Sequence, residues 1–254
     1  MLRYVTAICC LLSPAGPALA AEPYQFPEDQ AESDFIANEV IATFYHELGH
    51  GLIDVLKIPV LGKEEDAADT LSVILMNDIW NEEAATQILT SDATAYALSA
   101  ADPDQTPDES SFADVHSLDI QRYYAVVCLF YGANPDVRKQ LALDLELPAE
   151  KLDSCPGEYQ QAADAWSAVL KDTDPGPDKK GLVMAPGQEG MPLAELLADE
   201  VTGMNEKFGL PEKITVIVAD CGEANAFYSP SDKTITMCNE YAQDLQRRWE
   251  AQPK

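Results

Sequence analysis

The chain has 254 residues with 16 basic and 44 acidic side chains, a formal charge of −28 at pH 7. So acidic a surface repels nucleic acid and anionic membranes, which excludes both as partners, and it suits an extracellular or salty medium. The length is enough for one domain with a proper apolar core.

Residues 1–20 carry the basic Arg3, an apolar run from Val5 to Leu12, and a small-x-small site at Ala18-Leu19-Ala20. This reads as a signal peptide cut after Ala20, so the protein is expected to be exported, to the periplasm or the medium. No segment reaches the roughly 18 uninterrupted apolar residues of a membrane span, so no stable membrane insertion is expected. Residues 21–254 read as a single domain, with lobes over 33–171 and 182–250 joined by a linker at 172–181, DTDPGPDKKG.

With Ser33 as N-cap, Phe35, Ile36, Val40, Ile41, Phe44, Tyr45, Leu48, Leu52 and Leu56 recur at helical spacing up to Pro59 and predict a long, largely buried helix. A second helix is expected from about Lys63, a third over 84–100, and a loop over 101–111, where two prolines and several acidic residues fall. Further helices are expected at 114–131, 135–145, 158–171 and 192–208. The β-branched run Ile214–Ala219 predicts a strand, followed by a hairpin with strands at 225–228 and 234–237 and by a closing helix.

Four cysteines lie beyond the signal: Cys128, Cys155, Cys221 and Cys238. An oxidising compartment favours pairing, and of the three connectivities sequence proximity favours Cys128 with Cys155 and Cys221 with Cys238. A structural zinc site is the competing use, although no two of them have the close spacing such sites prefer.

In His46-Glu47-Leu48-Gly49-His50 the two histidines stand four residues apart, one turn of the predicted helix, so both imidazoles share a face and can hold one zinc ion. Glu47 is then placed to act as general base on an attacking water. A catalytic zinc needs a third protein ligand and one open position. Glu65 opens the next helix and Asp69 shares its face, which makes Glu65 the candidate ligand and Asp69 the acceptor for a ligating imidazole. Small Ala67 and Ala68 would let the two helices approach. An acidic first turn favouring the helix dipole explains Glu64 and Glu65 without a metal, but not Asp69 at the head of an apolar run.

HELGH followed by Glu65, Ala68 and Asp69 in the order E-x-x-A-D resembles the gluzincin metallopeptidases. The segments HELGHGLIDVLKIPVLGKEEDAAD, HSLDIQRYY and CGEANAFYSPSDKTITMC resemble more closely a bacterial metallopeptidase family of unknown function. The resemblance implies that Glu65 is the third ligand and Asp69 its support. It also implies that Asn225-Ala226-Phe227-Tyr228 is an edge strand pairing with an extended peptide. In gluzincins that strand precedes the HELGH helix; here it lies far behind it.

His116 is the remaining histidine and the first candidate for stabilising the oxyanion, oriented by Asp119 or a nearby carboxylate, with Arg122 or Tyr123 next. The fold expected is α+β and mostly α: a zincin-like helical core built on the HExxH and E-x-x-A-D helices, with a small β-hairpin or sheet near the C-terminus. The function expected is that of an exported metallopeptidase with one Zn2+ per chain, acting on peptide or protein substrates. The alternative is a secreted binding or envelope-assembly protein that keeps zinc but cleaves nothing.

Overall fold

Asp29, not Ser33, starts the first helix. Its carboxylate accepts from the Glu32 backbone N–H at 3.0 Å, satisfying one of the free donors of the first turn. This helix, α1 (Gln30–Leu56), ends at Lys57, whose left-handed backbone turns its N–H back onto the Asp54 and Ile53 carbonyls. Buried residues fall on every side of α1, including the unbroken run from Phe44 to Gly49, because other elements surround it. Helices α2 (Glu64–Ile79) and α3 (Glu82–Ala100) pack against it, as do α8 (Pro192–Lys207), α9 (Asn239–Glu250) and two strands of the sheet.

The computed structural model describes residues 23–103 and 106–252; the expected signal peptide lies outside them. Between α3 and α8 come a single turn, α4 (Glu109–Phe112), and then α5 (Asp119–Ala133), α6 (Pro135–Asp144) and α7 (Cys155–Leu170). Helix α5 begins five residues later than the sequence suggested, so His116 precedes it in an irregular segment. Lys63 holds that segment by donating to the backbone carbonyls of Asp114 and His116, at 3.2 and 2.9 Å.

The sheet has four strands in the order β1-β2-β4-β3: β1 (Leu182–Met184), β2 (Ile214–Ala219), β4 (Thr234–Cys238) and β3 (Ala226–Ser229). β1, β2 and β4 run parallel and β3 closes one edge antiparallel to β4. The alternation of buried and half-buried residues along β2 follows the two-residue pleat; the strand packs on α8, and its buried Ile214 reaches Gly51 of α1. The sequence missed β1, which is three residues long. The segment expected as a linker is tied back: Gly209 donates to the Thr173 carbonyl, and Lys180 and Leu210 exchange two backbone hydrogen bonds of 2.7 and 2.8 Å.

The protein is therefore mostly helical with a small C-terminal sheet, as expected. Cys128 is bonded to Cys155 and Cys221 to Cys238, stapling α5 to α7 and the loop after β2 to the end of β4. No described helix is long and apolar enough to cross a membrane.

Candidate metal centre

α1 and α2 meet through their smallest residues. A Cβ added to Gly49 would lie 2.9 Å from the Ala68 Cα, so only glycine lets the helices come this close. That approach brings the first turn of α2 over the histidine face of α1. His46 Nε2 and His50 Nε2 are 3.2 Å apart, and each is 3.2 Å from Glu65 Oε2. His116, arriving from the segment before α5, sets its Nε2 3.0 Å from the same oxygen. All three histidines of the chain thus converge on one carboxylate oxygen.

The far nitrogen of each ring is also held. His46 Nδ1 is 2.7 Å from Asp69 Oδ1, His50 Nδ1 is 2.8 Å from Glu64 Oε1, and His116 Nδ1 is 3.0 Å from Asp114 Oδ1. An ionised carboxylate can only accept, so each Nδ1 carries the proton. Every Nε2 of a neutral ring then presents a lone pair to Glu65, an arrangement that a shared proton or a metal cation satisfies. A tetrahedral zinc with bonds of about 2.0–2.2 Å spaces its ligand atoms about 3.3–3.5 Å apart, close to the triangle formed by His46, His50 and Glu65. The residues present therefore fit a divalent ion. Imidazole and carboxylate donors together suit a metal such as zinc.

Without an ion the histidines share protons with their acidic neighbours. Burial opposes charge on His46, but the hydrogen bonds to Asp69 and Glu65 outweigh it and push its pKa up to about 9. His50 is raised in the same way by Glu65 and Glu64. For Glu65, hydrogen bonds from His116, His46 and His50 overcome burial and hold the carboxyl far below the usual range.

Asp69 is buried and does more than support His46. Arg122 from α5 grips it with two hydrogen bonds of 2.7 and 2.6 Å, while Tyr96 from α3 donates to it at 3.3 Å and lies under the guanidinium, 4.6 Å from ring centroid to Cζ. Burial alone would raise the Asp69 pKa; Arg122 and His46 drive it well below normal. Arg122 was a candidate oxyanion donor in the sequence, and here its Nε and Nη2 are engaged by Asp69. Tyr123, the other candidate, turns away and donates to the Leu145 carbonyl at 2.7 Å. Asp119 does not orient His116; it accepts from Ser99, and Asp114 takes that place.

Glu47 is 6 % exposed and points from α1 toward the sheet edge. Burial raises its pKa, offset in part by the nearby histidines and by a backbone hydrogen bond from Tyr228. That bond follows from the register of β3. Cys238 N–H donates to Asn225 C=O, so residues 225, 227 and 229 direct their backbone polar groups at β4, while Ala226 and Tyr228 direct theirs outward. Strand β3 packs on α1 next to Gly51, where an added Cβ would lie 3.5 Å from the Tyr228 ring. Its outer edge therefore borders the histidines. A cleft of about 260 Å³ runs between them, lined by His46, Glu47, His50, Glu64, Glu65 and His116 on one side and Asn225 to Tyr228 with Pro230 on the other.

This is the constellation of a metallopeptidase: a cluster of imidazole and carboxylate donors, a buried carboxylate beside it, and a free strand edge across a cleft. The family described as "Putative metallopeptidase" matches residues 17–170 and 184–254, and the chain belongs to that family. Comparison with curated proteins and with solved structures finds no match.

Proposed function

We propose that the protein is an exported zinc metallopeptidase that hydrolyses peptide bonds, with His46, His50 and Glu65 holding one zinc ion and Glu47 acting as general base. The observation that carries this reading is the meeting of three ligand atoms at 3.2 Å from one another, with a buried carboxylate one residue from the first of them. Bound there, zinc supplies Lewis acidity, polarising the scissile carbonyl and lowering the pKa of water to about 7.

The chain's own residues do the rest. Glu47 takes a proton from the attacking water and gives it to the departing amine nitrogen; its raised pKa brings it closer to the pH at which such a shuttle works best. The outward N–H and C=O of Ala226 pair with the backbone of an extended substrate, Asn225 and Phe227 flank that pairing, and Tyr228 keeps Glu47 aimed through its backbone bond. Asp69 fixes the His46 ring and tautomer, and Arg122 fixes Asp69. His116, half exposed at the cleft, donates to the oxyanion once protonated. The disulfides suit the oxidising compartment to which the expected signal directs the chain.

The test is twofold. Purified protein is expected to hold one equivalent of divalent metal by elemental analysis and to cleave a broad peptide library, and Glu47→Gln is expected to keep the metal while losing at least about 1,000-fold in kcat. Metal-free purified protein, or full peptidase activity in the variant, would overturn it.

A further inference from the structure

On the inner side of His46 the cleft continues into a cavity of about 170 Å³ enclosed by α1, α2, α3, α5 and α9, with Ala224, Asn225 and Ala226 at its rim. Two carboxyl groups line its inner end. Glu39 stands on α1 two turns before His46 and is 4 % exposed; Asp92 comes from α3 and is 5 % exposed. One oxygen of Glu39 accepts from Tyr241 at 2.8 Å and, weakly, from Thr43 at 3.4 Å, whereas Oε2 is buried with no hydrogen-bond partner. A buried carboxylate oxygen left bare costs free energy unless something arrives to meet it.

Charge strengthens the point. Arg122 is the single lysine or arginine among the lining residues, and its guanidinium is engaged by Asp69 and Tyr96. Burial raises both carboxyl pKa values, with Asp92 adding to the shift of Glu39 and Asp69 to that of Asp92, which reaches about 7; each acid thus holds a proton that an arriving cation would displace.

We propose that this cavity is the specificity pocket of the cleft and takes the side chain of a substrate lysine or arginine, its cationic head meeting Glu39 and Asp92. The proposal rests on the peptidase reading and deepens it by naming the substrate class. The cavity opens beside Glu47 and below the Ala226 edge, so a side chain entering it belongs to a residue flanking the bond to be cut.

The experiment pairs two measurements. In the first, metal-loaded protein is given peptides that differ only in lysine or isosteric norleucine beside the scissile bond. The lysine peptide is expected to have a kcat/KM at least about tenfold higher, the range a correctly paired buried charge supplies, and Glu39→Gln with Asp92→Asn is expected to bring the ratio within about threefold of one. Equal rates in the native protein, or an unchanged ratio in the double variant, overturn the proposal. In the second, n-butylammonium and neutral butanol are titrated into the metal-loaded Glu47→Gln protein by NMR. Saturable binding of the ammonium alone, abolished by Glu39→Gln or by Asp92→Asn, is expected. Binding of neither, or equal binding of both, overturns the pocket. Should no peptide be cut at all, the peptidase reading fails and the butylammonium titration alone decides the pocket.

Discussion

Gly49 and Ala68 touch so closely that the Cα of one residue occupies the space a side chain on the other would need. This contact sets the distance between the helix that carries His46 and His50 and the helix that carries Glu65. Gly49→Val should push α2 outward, lowering metal affinity at least about tenfold and destabilising the fold by about 1–3 kcal/mol, the usual cost of overpacking. Competition with a chromogenic chelator reads the first and denaturant unfolding the second.

Asp69 offers a second route to the same metal. Asp69→Asn keeps its size but presents a weaker acceptor to His46 Nδ1 and releases Arg122 from its charge partner. Metal affinity is expected to drop about 10–100-fold, as it does where the support of a ligating histidine is lost. Isothermal titration with zinc measures it.

Tyr45 is fully buried; its hydroxyl donates to Glu200 Oε2 at 2.5 Å and accepts from the Trp80 indole at 2.9 Å, linking α1, α8 and the end of α2. Tyr45→Phe leaves a buried carboxylate and an indole N–H without that partner. A loss of about 2–4 kcal/mol follows, seen as a lower denaturation midpoint with an unchanged m-value.

The carboxyl of Asp92 makes stability depend on pH. Its folded pKa, raised to about 7 by burial and then by Asp69, exceeds the value of about 3.9 in an unfolded chain. The folded state holds the proton more tightly, so this contribution is complete below about pH 4 and is lost as pH rises toward 7. Glu39 on α1 shifts in the same direction, while Arg122 on α5 and His46 on α1 pull Asp92 the other way. Asp92→Asn mimics the protonated form and should flatten the pH profile, raising Tm at pH 8 by about 5 °C without moving it at pH 4. Calorimetry in an amine-free buffer checks this.

Reduction should loosen the helical half. The Cys128–Cys155 bond closes a separation of 27 residues and is worth about 3–4 kcal/mol through the unfolded chain. Replacing both cysteines with serine should lower the denaturation midpoint accordingly.

What the sequence made legible was whatever depends on short spacing. HELGH, Glu65 and Asp69 could be placed because helix periodicity fixes which residues share a face, and a short turn returns α2 onto α1. Strand β2 was legible through its run of β-branched residues. The role of Arg122 was not, because 53 residues separate it from Asp69 and only tertiary packing joins them. Asp114 was covered only as a carboxylate near His116 and not named, because the helix was expected to begin at that point. Glu39 left a signal that went unused: an acid seven residues before His46, on the same helix face and amid apolar neighbours, is a residue with a partner to account for.

The two walls of the cleft come from distant parts of the chain, the donors from α1, α2 and the segment before α5, the free edge from β3, and β3 is held only after β4 has paired between it and β2. A chain that crosses amino end first, on the proposed reading of an exported protein, carries the α1 and α2 donors over long before the hairpin follows. On the proposed reading, the young enzyme is harmless to its neighbours and to itself, because nothing can be gripped for cutting until the last quarter of translation has been delivered and folded.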